Sequence, residues 1–255
     1  MSGGITVVKI GGSTLGAADT SLEDVVALAA EGGRPLVVHG GGAMITDWLE
    51  RMQVEATFVD GLRATNAEAI DVVVGVLRGV VNARLVAEIV QRGGRAVGVC
   101  GIDGGSIRAE RYDERLGFVG RITGVEAAFF TDLIDAGVIP VVAPIGLEAP
   151  AQPLNINADT VAGELARAVR AERLLFMTDV DGLLNGDGEL IEAIGRAEAD
   201  RLRRDGVLAG GMIPKVDACF RAAEAGTEAY IANGTLPGTL RRLLAEPLGT
   251  RVGGD

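Results

Sequence analysis

The sequence predicts an α/β fold, a three-layer αβα sandwich around a mostly parallel central sheet, and three observations lead there. Strand-like and helix-like patterns alternate along the whole chain. β-Branched runs pass through glycine-rich turns into amphipathic segments, the order of a βα unit. The 255 residues, 48% hydrophobic and 23% charged, suffice to bury a full core without disulfide or metal staples.

The first unit is Ile5-Thr6-Val7-Val8-Lys9-Ile10, a turn at Gly11-Gly12-Ser13, and a helix from about Ser21 to Glu31 that Gly32-Gly33 stops. Pro35-Leu36-Val37-Val38-His39 repeats the pattern, followed by Gly40-Gly41-Gly42 and a helix near Ala43 to Met52. Thr65 and Glu68 have capping-box spacing ahead of a long helix bearing Ile70, Val73, Val74, Leu77, Val80 and Val81. That apolar surface exceeds what one domain face needs, which predicts a homodimer contact. The Gly- and Arg-rich stretch from about 104 to 124 reads as a β-hairpin. A helix near Val125 to Ala136, a buried strand at Val138–Val142, an irregular segment to Asn157 and a helix from Asp159 to about Arg170 complete a first lobe, residues 1–171. The pattern restarts at Leu174-Leu175-Phe176-Met177 and continues through a charged helix near Arg196 to Asp205, a helix near Met212 to Ala225 and a strand at Ala229-Tyr230-Ile231, a second lobe of residues 172–255. No flexible linker separates them, so the expectation is two lobes of one compact unit.

The formal net charge of −11 gives no long-range attraction to nucleic acid or anionic lipid. Arg78 and Arg84 interrupt the longest apolar stretch, and the run after Met1-Ser2-Gly3-Gly4 is too short for a signal peptide, so a soluble, cytoplasmic protein is expected, without membrane or nucleic-acid partners. Cys100 and Cys219 sit in apolar surroundings and read as reduced core residues.

Of the 24 basic residues 22 are Arg, and the two lysines, Lys9 and Lys215, both lie beside glycine-rich turns. A chain that uses arginine almost everywhere and keeps lysine at two such places marks them for chemistry that a guanidinium cannot perform. Both are expected to be largely solvent-lined. Lys9 with Gly11 and Gly12 puts a point charge beside exposed backbone N–H groups, as does Gly210-Gly211-Met212-Ile213-Pro214-Lys215 at a helix start. Gly40, Gly41 and Gly42 would share the sheet edge where α/β ligands bind, although a flexible turn fits them equally well. His39, the single histidine, reads as structural more readily than as a base. Asn155, Asn157 and Asp159 offer more short polar side chains than a helix cap needs. Asp179-Val180-Asp181-Gly182 either makes a plain turn or lines a nucleoside pocket; without a third acid at ligand spacing, no metal site is expected. Arg63 carries a fork suited to a carboxylate.

Taken in order, Lys9-Ile10-Gly11-Gly12, His39-Gly40-Gly41-Gly42, Gly61-Leu62-Arg63, Asn155-Ile156-Asn157-Ala158-Asp159, Thr178-Asp179-Val180-Asp181-Gly182 and Gly210-Gly211-Met212-Ile213-Pro214-Lys215 resemble the amino acid kinase family, and the resemblance extends to Gly249-Thr250-Arg251-Val252. It implies an amino-terminal lobe for an acidic acyl substrate, a carboxy-terminal lobe for ATP, and Mg²⁺ with the nucleotide. The implied reaction phosphorylates the side-chain carboxylate of N-acetyl-L-glutamate, in arginine synthesis. Lys9 and Lys215 would stabilise the transferring phosphoryl group and Asp159 would position both. Gly41, Gly42, Arg63, Asn155 and Asn157 would bind the acyl substrate. Gly11, Gly12, Asp179, Val180, Asp181, Gly182, Leu183, Leu184, Gly210, Gly211 and Met212 would surround the nucleotide. Ile102 stands where many acetylglutamate-specific members carry Lys, while Gly42 differs from the Ser common in members acting on carrier-linked glutamate or aminoadipate. Those substrates, and a non-catalytic sensor on the same fold, stay open.

Overall fold

The structure, a computed structural model, describes residues 3–11, 20–59 and 62–253. β1 (Ile5–Ile10) is buried along its whole length, as a strand with neighbours on both edges and helices on both faces must be. It is followed by α1 (Ser21–Ala30), β2 (Arg34–His39) and α2 (Gly42–Arg51), then a short antiparallel pair, β3 (Thr57–Val59) and β4 (Leu62–Ala64). α3 (Ala67–Val74) is capped by Asn66, whose side chain accepts the Ala69 N–H at 2.8 Å. The cap thus falls one residue beyond the Thr65 that the spacing selected, because the Thr65 hydroxyl donates to the Arg63 carbonyl at 3.1 Å. The helix runs on through a π-helical stretch, Gly75–Val81, into α4 (Asn82–Gln91).

Next come β5 (Ala96–Cys100), β6 (Ile107–Arg111), β7 (Gly120–Val125), α5 (Ala127–Asp135), β8 (Ile139–Ala143), β9 (Ile145–Glu148), β10 (Gln152–Asn155) and α6 (Ala158–Ala168). β6 and β7 form the expected hairpin. The segment expected to be irregular before Asn157 instead forms β9 and β10, which extend that hairpin into a four-stranded sheet. The second half contains β11 (Arg173–Thr178), β12 (Leu183–Leu184), β13 (Leu190–Ile191), β14 (Ala193–Ile194), α7 (Arg196–Arg204), α8 (Met212–Ala223), β15 (Glu228–Asn233), α9 (Thr239–Ala245) and β16 (Thr250–Val252).

The main sheet has the order β14-β16-β15-β11-β1-β2-β8-β5, parallel except where β15 meets β16. β1 lies at its centre, paired with β2 and β11, so the sheet crosses residue 171 without a break. Strand side chains alternate between two cores. Val7, Leu36, Val38 and Phe176 join residues of α5, α6 and α8 on one face, while Val8, Ile10, Val37 and Met177 join α1, α2, α3, α4 and α9 on the other. This second core absorbs Val73, Leu77 and Val81, leaving Val74 and Val80 half-buried, so most of the apolar surface assigned to a dimer contact is used within the chain. Among the described residues no helix is long and apolar enough to cross a membrane.

Candidate active site

Parallel pairing brings the carboxyl ends of β1, β2, β11 and β15 to one sheet edge, where their turns converge. Alternation places Lys9 on the same face as Val7, toward α6. Asn157 caps α6, its side-chain oxygen accepting the N–H groups of Asp159 at 2.9 Å and Thr160 at 3.0 Å. Asp159 therefore sits in the first turn, where the helix dipole favours a carboxylate. α8 begins at Met212, with Pro214 in a first turn that needs no N–H donor there, and carries Lys215 toward α6. The helices pack closely: a Cβ on Gly163 would lie 2.7–2.9 Å from atoms of Ala218, so glycine is required for this approach.

The result is a bridged array. Lys9 Nζ lies 2.8 Å from Asp159 Oδ1 and Lys215 Nζ lies 3.0 Å from Oδ2. Lys215 also donates to the Gly211 carbonyl at 3.2 Å. Side-chain exposure is 9% for Lys9, 7% for Asp159 and 16% for Lys215, which overturns the expectation of solvent-lined lysines. The strand and two helices that carry them close over their stems. Two ammonium groups share one carboxylate, so one positive charge is left over at the sheet edge, in surroundings where ionic interactions are stronger than in bulk water.

Beside this array is a cavity of about 230 Å³, lined by Lys9, Gly40, Gly41, Gly42, Arg63, Asn155, Asn157 and Asp159 together with apolar side chains. Arg63 stacks over the Phe58 ring at 4.6 Å, and its Nη2 donates to the Gly42 carbonyl at 3.0 Å and Thr46 Oγ1 at 2.6 Å. Its Nη1 is buried and has no hydrogen-bond partner among the described residues. Asn155 donates to Thr65 Oγ1 at 3.1 Å. A Cβ on Gly41 would lie 2.8 Å from the buried Leu77 side chain, which would have to shift to admit it.

The second group of residues gathers at the ends of β11 and β15. The Thr178 hydroxyl donates to Asp179 Oδ1 at 3.1 Å, and Asn233 donates to Asp181 Oδ1 at 2.8 Å, tying the two turns together. Gly182 has φ +157°, and a Cβ there would lie 2.5 Å from Thr250 Oγ1, which itself accepts the Leu183 N–H at 2.8 Å. Leu184 is exposed opposite Leu190, and Val180 is also exposed. Gly210, with φ +56°, and Gly211 turn the chain into α8 at Met212. Gly11 ends β1, its N–H reaching the Met177 carbonyl at 3.4 Å; Gly12 and Gly61 lie outside the described residues.

The remaining titratable candidates are buried and line no part of that cavity. Burial lowers His39 to a pKa of about 4, so the ring is neutral at pH 7. Burial raises both thiols, Cys219 well above its ordinary value, and both are free and buried. Phe58 and Asn82 were not anticipated from sequence. The visible signals were an aromatic five residues before Arg63 and an amide directly after the apolar pair Val80-Val81. Among the described residues no cluster of three metal-ligating side chains occurs.

The αβα architecture and the lysine–aspartate–lysine array define the class: the chain belongs to the amino acid kinase family, whose sequence profile matches residues 4–233. Within that family it is 45% identical over 242 residues to the acetylglutamate kinase of Thermosynechococcus vestitus, spanning 92% of this chain and 82% of that protein. It is 38% identical over 252 residues to the acetylglutamate kinase of Dehalococcoides mccartyi, spanning 96% and 93%. The crystal structure of smu.665 from Streptococcus mutans UA159 superposes with a TM-score of 0.86 at 27% identity, covering 98% of this chain and 99% of that one.

Proposed function

We propose that this chain transfers the γ-phosphoryl group of ATP to the side-chain carboxylate of N-acetyl-L-glutamate, a step of arginine biosynthesis in the cytoplasm. The observation that carries this reading is the Lys9–Asp159–Lys215 array at the edge of a cavity holding Arg63 and Asn155. A carboxylate is already nucleophilic at neutral pH. Its oxygen forms the new O–P bond, the bond from phosphorus to the β-phosphate oxygen breaks, and ADP leaves with that electron pair. No proton moves, so no general base is required, and the neutral His39 fits that economy. The chemistry requires that two anions be brought together and that charge on the transferring group be met.

Lys9 and Lys215 meet that charge from two sides, each held by a different oxygen of Asp159. Arg63 receives a carboxylate of the acyl substrate; its Nη1, without a hydrogen-bond partner among the described residues, supports this. Asn155, Gly41 and Gly42 border the same cavity, and Asn157 contributes chiefly by capping α6. ATP occupies the turns of the carboxy-terminal lobe, with Asp179 to Leu184 and Gly210 to Met212 around it and Gly11 near its phosphates. Mg²⁺ enters as part of the nucleotide substrate, held chiefly by phosphate oxygens. Residues 1–171 thus serve the acyl substrate and 172–255 the nucleotide. The enzyme acts as a homodimer through what the second core leaves uncovered on the α3–α4 helix, including Val80; light scattering giving the mass of one chain at micromolar concentration would refute that arrangement.

A coupled assay of ADP release tests the activity. Turnover should be greatest with N-acetyl-L-glutamate among acetylglutamate, glutamate, aspartate and aminoadipate. Absence of turnover with all four would sink the kinase reading.

A further inference from the structure

A chain of buried polar contacts that phosphoryl transfer does not itself require runs from the α3–α4 helix to the glycine turn. Asn82, the residue that follows the π-helical stretch, is buried, and its amide nitrogen lies 2.8 Å from the Val141 carbonyl and 3.0 Å from His39 Nε2. The notch it occupies exists because residue 98 is glycine; a Cβ there would overlap Asn82 Oδ1. That oxygen lies 3.4 Å from Arg78 Nη1, and Arg78 in turn lies 3.5 Å from Asp103. On its other side, His39 Nδ1 lies 2.8 Å from the Gly40 carbonyl.

These contacts fix the tautomer. The Asn82 group facing both Val141 and His39 must be the NH₂, because an amide oxygen turned that way would meet the Val141 carbonyl acceptor to acceptor. An NH₂ can only donate, so Nε2 accepts and Nδ1 carries the proton. The Gly40 carbonyl is thereby held toward His39. In a trans peptide the next N–H points opposite to the carbonyl. His39 lies outside the cavity wall whereas Gly40 and Gly41 form part of it, so the fixed carbonyl turns the Gly41 N–H toward the cavity.

We propose that His39 is a positioning residue that aims the Gly41 N–H at the anions reacting beside Lys9, and that Asn82 sets the imidazole tautomer that makes this possible. The proposal rests on the kinase reading for what the N–H meets, though the tautomer and peptide orientation do not. Three independent features agree with it. The ring is neutral at working pH, with Lys9 on the neighbouring strand further opposing a proton. A Cβ on Gly41 would come within 2.8 Å of the buried Leu77 side chain, so the turn packs closely against the α3–α4 helix. The π-helical stretch sets the register in which Asn82 faces the sheet, as such stretches do at functional sites.

Two substitutions separate the two ring nitrogens. In His39→Asn the side-chain NH₂ can replace Nδ1 and still donate to the Gly40 carbonyl. In His39→Gln the amide reaches the Nε2 position and leaves that carbonyl without its donor. His39→Asn should keep kcat within a few-fold of the parent, whereas His39→Gln should lose about 10²-fold in kcat, with both KM values nearly unchanged. Equal kcat values for the two variants, or a loss confined to KM, would overturn the proposal. Nitrogen NMR of the unmodified protein gives an activity-independent check, since the chain has one histidine: Nδ1 should be protonated and Nε2 bare. The Gly41 amide resonance should move in the Gln variant and return in the Asn variant. The opposite tautomer would overturn the proposal, whereas a parent enzyme inactive on all four acids, with these NMR results intact, would overturn only the kinase reading.

Discussion

Two kinds of ion pair occupy different regions of this molecule. On the helix surfaces, arginines meet carboxylates in the open: Arg51 with Asp47 at 2.8 Å and Arg201 with Glu198 at 3.2 Å, all more than two-fifths exposed. At the sheet edge, two lysines meet one aspartate at similar distances, almost wholly enclosed. Distance alone does not separate the two classes. Exposed pairs are screened, can be remade with water and contribute little. The enclosed array has lost that alternative, so its geometry is fixed by the elements that carry it and its surplus charge is available to an incoming anion.

The sharpest way to break the contrast is Asp159→Ala, which leaves two buried ammonium groups uncompensated. The expected loss exceeds about 10³-fold in kcat, with destabilisation of about 3–5 kcal/mol; turnover and denaturant unfolding measure both. Next come Lys9→Arg and Lys215→Arg, which keep charge and change shape. Each should lower kcat by about 10²–10³-fold, roughly 2.7–4 kcal/mol, with ATP binding little altered. Because the wider guanidinium must enter an enclosed space, Lys9→Arg should also lower Tm more than Lys215→Arg, which is the more exposed of the two. Parental turnover in both would equate the array with the surface pairs.

His39 supplies a third case, a buried group that is stable because it carries no charge. Its pKa of about 4 lies below the ordinary 6.5, so the unfolded chain takes up the proton first. The stability due to the neutral ring is complete above pH 6.5 and is lost as pH falls to about 4, a contribution of about 3 kcal/mol. Unfolding followed across that window should show a steeper decline in the parent than in His39→Asn; identical slopes would contradict the burial argument. Arg63→Lys should raise KM for acetylglutamate about tenfold, since a single ammonium cannot grip a carboxylate at two points, with KM for ATP unchanged. The smallest effect belongs to the surface, where Arg201→Ala should alter stability by less than about 0.5 kcal/mol.

Much of the candidate site was legible in the chain because rarity marked it: lysine occurs twice, each time beside glycines, Asp159 lies among surplus amides, and the fold brings the three side chains together. The alternating strands were legible because a fully buried parallel strand needs an unbroken apolar run. Other features were not, for physical reasons. β9 and β10 are four residues each, too short to show a period. Val73, Leu77 and Val81 gave the right helical face but not its neighbour, since periodicity says that a face is covered and not by what. The Asn82–His39 contact joins residues 43 positions apart and depends on a local change of helical pitch and on the absence of a side chain at Gly98. None of these leaves a mark in residue spacing.

The central position of β1 has a consequence for how the protein is made. β1 needs neighbours on both sides, yet only β2 follows it closely in the chain; the other edge waits for β11, and Asp159 and Lys215 are synthesised later than β2 by more than a hundred residues. At ordinary rates of translation that interval is on the order of ten seconds. Throughout it Lys9 sits on a half-paired strand without its carboxylate partner, and the nascent chain carries an open sheet edge of the kind that invites pairing with other chains. A truncated product ending before β11 would therefore be aggregation-prone as well as inactive, and the finished site can form only after the last of its three charged residues has been synthesised.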